Sequence, residues 1–100
     1  KRKSLHHAAV FANNFTNHIL FQAKKILEEK DIDWSLLIPL IQETISKAIE
    51  FGPENAQTGP AKRNDLNTIK NQLEQLNPDL KSIYLDLSNS ILENYGHKKL

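Results

Sequence analysis

His6-His7-Ala8-Ala9-Val10-Phe11-Ala12-Asn13-Asn14-Phe15-Thr16-Asn17-His18 is the stretch on which the reading of the fold turns. Leu5, Ala8, Ala12, Phe15, Ile19, Ala23 and Ile26 recur at spacings of three and four, which makes one apolar face of a helix running from Leu5 to about Glu29. At about 100° per residue, Ala9, Leu20 and Leu27 widen that face while Val10 and Phe21 form a second apolar patch, so the helix is expected to be covered from two sides. Amides, a hydroxyl and imidazoles interrupt the pattern. Burying an amide without a partner costs about 1–3 kcal/mol, so these groups predict a contact surface that meets a partner, water or a ligand.

Further along, Asp33 is placed to cap a second helix in which Trp34, Leu37, Ile38, Ile41, Ile45, Ala48 and Ile49 keep the period as far as Phe51. Pro39 lacks an amide hydrogen, so the first turn is kinked or separate and the regular helix enters near Pro39. Gly52-Pro53 ends it. Glu54 to Asn64 has no apolar period and reads as a structured connection. Pro60 suits the start of a short turn, and Asn64 or Asp65 suits a cap. Leu66, Ile69, Leu73 and Leu76 then form a narrower stripe, and Pro78 opens a last helix with Leu80, Ile83, Tyr84, Leu87, Ile91 and Tyr95 on its apolar face, stopped by Gly96. No strand-like alternation or internal repeat competes. The expected fold is all-α: a long first helix packed with about three further helices in a mostly antiparallel bundle.

One hundred residues, 39% hydrophobic and 25% charged, fit a single domain. A net charge of +1 and a pI near 8.2 give no strong field, and the scattered basic residues argue against a nucleic-acid binder. The lack of cysteine removes disulfide, thiolate and Cys-zinc chemistry and fits a reducing compartment, so the expected location is cytoplasmic. No apolar run has the length of a membrane span. The absence of methionine predicts a fragment cut from a longer chain, with Lys1-Arg2-Lys3-Ser4 as a solvated linker end.

On a regular α-helical wheel His7, Phe11, Asn14 and His18 fall on one narrow stripe, because separations of four, three and four residues nearly close whole turns. Such a stripe can hydrogen-bond a polar ligand, and an imidazole can donate a proton near neutral pH; equally, the groups can satisfy neighbouring backbone and water. A metal site is not expected, since His7 and His18 lie about 16 Å apart along the axis, and His97 in the tail reads as solvated. Thr16 suits a bond to a carbonyl one turn back, and Asn13 and Asn17 suit pairing across a helix interface. The second candidate is Thr58-Gly59-Pro60 with Arg63 and Asp65. Arg63 can grip a carboxylate or phosphate while Asp65 holds Arg63, or Arg63 and Asp65 merely fix the loop.

Three stretches, taken together in order and spacing, carry a resemblance: His7 to His18, Leu36-Leu37-Ile38-Pro39-Leu40-Ile41-Gln42-Glu43-Thr44, and Ala56-Gln57-Thr58-Gly59-Pro60-Ala61-Lys62-Arg63-Asn64-Asp65. They resemble the C-terminal domain of unknown function 2520, and the likeness covers His6 to Ile91. The resemblance implies a fold like the C-terminal domain of 6-phosphogluconate dehydrogenase and an N-terminal Rossmann domain that binds NADP or NAD outside this chain, which itself has no Gly-rich fingerprint. In related dehydrogenases this helix carries a catalytic lysine and, one turn later, an asparagine facing the nicotinamide. Asn14 matches the asparagine and Val10 stands at the lysine position. Gln72 stands where the family often has histidine.

The resemblance therefore implies the substrate-binding and dimerisation domain of an NAD(P)-dependent oxidoreductase, inactive alone. His7 is expected to donate a proton and Asn14 to orient a small polar or carboxylated substrate beside the cofactor. His18, Thr58, Arg63 and Asp65 are expected to bind or brace that substrate, the protein to be a homodimer, and no nucleic acid, membrane or metal to take part. The rival expectation is a non-catalytic helical module that serves homo-oligomerisation or protein interaction.

Overall fold

Arg2 to Glu28 is continuously helical, as the apolar period predicts, but it is not one uniform α-helix in the computed structural model, which describes residues 1–100. α1 (Arg2–Ala9) passes into a π-helical segment, Val10–Phe15, and then into α2 (Thr16–Glu28). A π turn bonds each carbonyl to the amide five residues on rather than four. Asn13 and Asn14 are poor helix formers, and the Thr16 hydroxyl donates to the Phe11 carbonyl five residues back, at 3.3 Å. The local sequence thus weakens α pairing where the wider turn occurs.

α2 ends in a double bond pattern: Ile32 N–H donates to Leu27 O at 3.0 Å and Asp31 N–H to Glu28 O at 3.1 Å. This is the Schellman arrangement, with Asp31 at φ +56° in the left-handed position. α6 (Pro78–Asn94) closes the same way, His97 N–H on Leu92 O at 2.8 Å and Gly96 N–H on Glu93 O at 3.2 Å, with glycine in that position. Only glycine adopts such a φ without steric cost, about 1–2 kcal/mol for other residues. Asp31→Gly is expected to raise stability by up to about 1 kcal/mol, read as a higher urea midpoint with unchanged slope.

The Asp33 carboxylate accepts from Ser35 N–H at 2.9 Å, capping a 3-10 turn, Trp34–Leu37, that leads into α3 (Ile38–Phe51). Pro39 lies in the first turn of α3, where a missing amide hydrogen loses no helical bond. The Lys24 ammonium sits 5.8 Å from the centre of the Trp34 ring.

The chain divides into two compact units, Lys1–Ile45 and Ser46–Leu100. The first has no fully buried residue. Leu5, Phe11, Phe15, Phe21, Leu36 and Leu40 are all at least half exposed. In the second unit Gly52 breaks the helix, Pro53 opens the short α4 (Pro53–Ala56), and α5 (Leu66–Gln75) begins at Asp65. α4 was not legible in the sequence, because four residues display no period. Asn77 Oδ1 accepts from Asp79 N–H at 3.0 Å to cap α6, which Pro78 opens. The two-residue connection Leu76-Asn77 folds α5 and α6 into a helical hairpin. Ile69 and Leu92 are completely buried between them with Ala61 from the preceding turn, and Leu66, Leu73, Tyr84 and Ile91 pack around this core.

Candidate functional site

His6, His7, Asn13, Asn14, Asn17 and His18 are all exposed on the opening helix, while Val10 and Thr16 are half-buried. The π segment changes how they line up. One extra residue in the turn sets everything after it back by about 100° relative to everything before it. The regular wheel that puts His7, Phe11, Asn14 and His18 on one stripe does not apply across Val10–Phe15, and His7 is out of line with His18. Asn14 and His18, four residues apart, remain on one side.

His18 Nε2 lies 3.1 Å from the Gln22 side-chain nitrogen. An amide nitrogen only donates, so the imidazole nitrogen is the acceptor of this pair. The ring centre is 6.2 Å from that of Phe21. Thr16 bonds a carbonyl as the sequence suggests, though five residues back instead of one α turn. Asn13, Asn14 and Asn17 make no side-chain hydrogen bond within the chain. Their amides are free for other groups.

The turn from Gly59 to Asp65 is a single helical curl: Arg63 N–H reaches Gly59 O at 3.3 Å, Asn64 N–H reaches Ala61 O at 3.1 Å and Asp65 N–H reaches Pro60 O at 2.8 Å. Gly59 has φ +104°, as a residue that must reverse the chain before Pro60 requires. Asp65 is the cap of α5, its Oδ1 accepting from Thr68 N–H at 3.2 Å and its Oδ2 from the Thr68 hydroxyl at 2.7 Å. The carboxylate is therefore committed to Thr68, and it forms no ion pair that would hold Arg63. Arg63 and Thr58 are exposed, and Thr58 offers its carbonyl to the Gln57 amide at 2.9 Å.

The Thr68 hydroxyl, then the Thr68 amide, hold the Asp65 carboxyl below its ordinary range, with Arg63 a smaller influence. A carboxyl lowered on folding adds stability above its unfolded pKa of about 3.9, and that stability disappears as the pH falls through the folded value. Urea midpoints should accordingly decline as the pH falls below about 4. Asp65→Asn should be less stable at neutral pH and show a shallower decline.

Two features of the second unit were missed in the sequence. Gln72 accepts a 2.6 Å hydrogen bond from the Tyr84 hydroxyl, joining α5 to α6, and burial pushes the phenol up. The pair is twelve residues apart and carries no sequence motif. An open cleft of about 390 Å³ is lined by Pro53, Glu54, Gln57, Ile91, Asn94 and Tyr95. The Tyr95 hydroxyl there donates to the Glu54 carbonyl at 2.6 Å, and the Asn94 amide donates to the Ser90 carbonyl at 2.9 Å. Nearby, His97 donates from Nε2 to the Lys62 carbonyl at 3.0 Å, so it is a tether and not a solvated tail group.

Residues 1–91 match the family described as "Domain of unknown function (DUF2520)". The crystal structure of a putative NADP oxidoreductase from Bacteroides fragilis superimposes on 92% of the chain with a TM-score of 0.87 and 47% sequence identity. The chain spans 36% of the length of that protein. No curated protein matches it. No helix is long and apolar enough to cross a membrane.

Proposed function

Because this chain belongs to the DUF2520 family, we propose that it is the helical substrate-binding and dimerisation part of an NADP-dependent oxidoreductase whose Rossmann domain lies elsewhere in a longer protein. The supporting observation is the likeness, at 47% identity over 92% of the chain, to part of a protein named as an NADP oxidoreductase. Bound NADPH would supply a hydride to a carbonyl or imine carbon, and the chain's own residues would have to give the heteroatom a proton. Val10 cannot supply it where related enzymes use lysine. The imidazoles of His6 and His7, exposed in the turn before Val10, are side chains able to donate a proton. Asn14, exposed and with an unengaged amide, orients the substrate and the nicotinamide, and His18 holds the substrate. Taken by itself, the second unit carries Arg63 as its anion-binding side chain, exposed as Thr58 is, on a turn that Asp65 fixes.

Dimerisation rests on the first unit's lack of a core. Phe11 and Phe15 are 69% and 50% exposed, their rings 5.0 Å apart and nearly perpendicular, and Ile19 follows four residues later. An exposed apolar ridge of this kind is surface that a two-fold interface between copies would cover. Fluorescence titration of the full-length protein with NADPH tests the cofactor reading. Saturable binding, tighter than for NADH, is expected; failure to bind either nucleotide would leave the non-catalytic interaction module. Sedimentation tests the dimer, and a strict monomer at micromolar concentration would remove that part.

A further inference from the structure

We propose that His6, and not His7, shares the ligand-facing side of the opening helix with Val10, Asn14 and His18, and that the π segment is what aligns them. The inference rests on the proposed function, since it names which imidazole serves that site. His6, Val10, Asn14 and His18 follow one another at a constant spacing of four. In a regular α-helix each step of four overshoots a whole turn by about 40°, so His18 would lie about 120° round from His6. The extra residue taken in by Val10–Phe15 removes about 100° of that drift. The four positions then stay within about 40° of each other, in a straight line along the helix.

His7 falls into a different four-spaced set, with Phe11, Phe15 and Ile19, about a quarter turn away. The Phe11 and Phe15 rings, 5.0 Å between centres and edge to face, are neighbours within this set, as residues four apart also are on an α-helix. His6 is exposed, one turn ahead of Val10, the position at which the related enzymes carry their acid. The proton that Val10 cannot give is supplied from the turn before it. The bond broken is N–H of the His6 imidazolium, and the bond formed is O–H or N–H on the substrate heteroatom whose carbon has accepted hydride. The imidazole is left neutral and NADPH becomes NADP⁺.

The test is a two-bond ¹H–¹⁵N spectrum of the imidazoles in the full-length protein, titrated with NADPH, with signals assigned through His6→Gln and His7→Gln. The His6 and His18 ring signals are expected to shift in step with nucleotide saturation while the His7 signals stay put. NADPH binding that moves His7 and leaves His6 unmoved, or that moves neither, overturns the inference and leaves the oxidoreductase reading standing. Lack of NADPH binding removes both. A second variant, deletion of Ala12, takes out the extra residue and gives an unbroken α-helix with the same number of turns, so His6 keeps its phase to His18. The His6 shift is expected to survive it, and its loss from a variant that still binds NADPH would overturn the alignment.

Discussion

Leu92→Ala is expected to be the most damaging single truncation in the chain, with Ile69→Ala close behind, each costing about 2–5 kcal/mol. Both side chains are completely buried, and only Ala61 joins them in the fully enclosed apolar core. Removing either leaves a void that α5 and α6 cannot close, because the two-residue turn at Leu76-Asn77 and the Tyr84 to Gln72 bond fix their spacing. Domains of this size hold about 5–15 kcal/mol in all, so the loss is a large fraction of the whole. Urea titration followed by circular dichroism reads it as a midpoint drop with unchanged slope. Leu5→Ala is the control: at 73% exposure in α1 it should change the stability of this chain by no more than about 0.5 kcal/mol. A Leu92→Ala variant as stable as Leu5→Ala would show that the α5–α6 core does not hold the second unit together.

The elements bounded by local chemistry were legible in the sequence. Asp33, Asp65 and Asn77 cap because a short polar side chain before an apolar period can satisfy free amides, and Pro39 and Pro78 sit in first turns for the reason proline always can. Gly96 stops α6 as expected. What escaped the reading depended on phase or on distance. A wheel drawn at 100° per residue presumes α geometry, and it absorbed His7 into a stripe that the π segment breaks. The signal was present as two interleaved four-residue repeats, His6-Val10-Asn14-His18 and His7-Phe11-Phe15-Ile19, which an α-helix would smear around its surface. Asp31 at a helix end gives weaker notice of a left-handed turn than glycine does. The Arg63 and Asp65 pairing looked plausible at a spacing of two, yet the amide and hydroxyl of Thr68 reach the carboxylate first, because a helix start always offers unpaired amides. The Gln72 to Tyr84 bond follows from how α5 and α6 meet, which neither segment encodes alone.

Phe11→Asp combined with Phe15→Asp is expected to abolish self-association while leaving the fold of the isolated chain intact. These rings are more than half and half exposed, and nothing in the first unit covers them. In a monomer the exchange therefore replaces solvated apolar surface with solvated charge, a change of no more than about 0.5 kcal/mol per site. In a two-fold dimer the accounting differs. Fully burying a phenylalanine is worth about 1.5–3 kcal/mol, each ring occurs twice, and each introduced carboxylate would have to be desolvated opposite its symmetry mate. Even if only half of the exposed surface is covered, the lost burial alone is about 2–3.5 kcal/mol, or roughly thirtyfold to several-hundredfold in Kd, before the carboxylates are counted. Sedimentation should show the wild-type dimer and a monomeric double variant with the same helical content. A double variant that dimerises like the wild type would move the interface off this ridge and leave His7, which shares it, without a buried neighbour. His6 would be unaffected by that outcome, since its line along the helix runs about a quarter turn away and depends on the π segment alone.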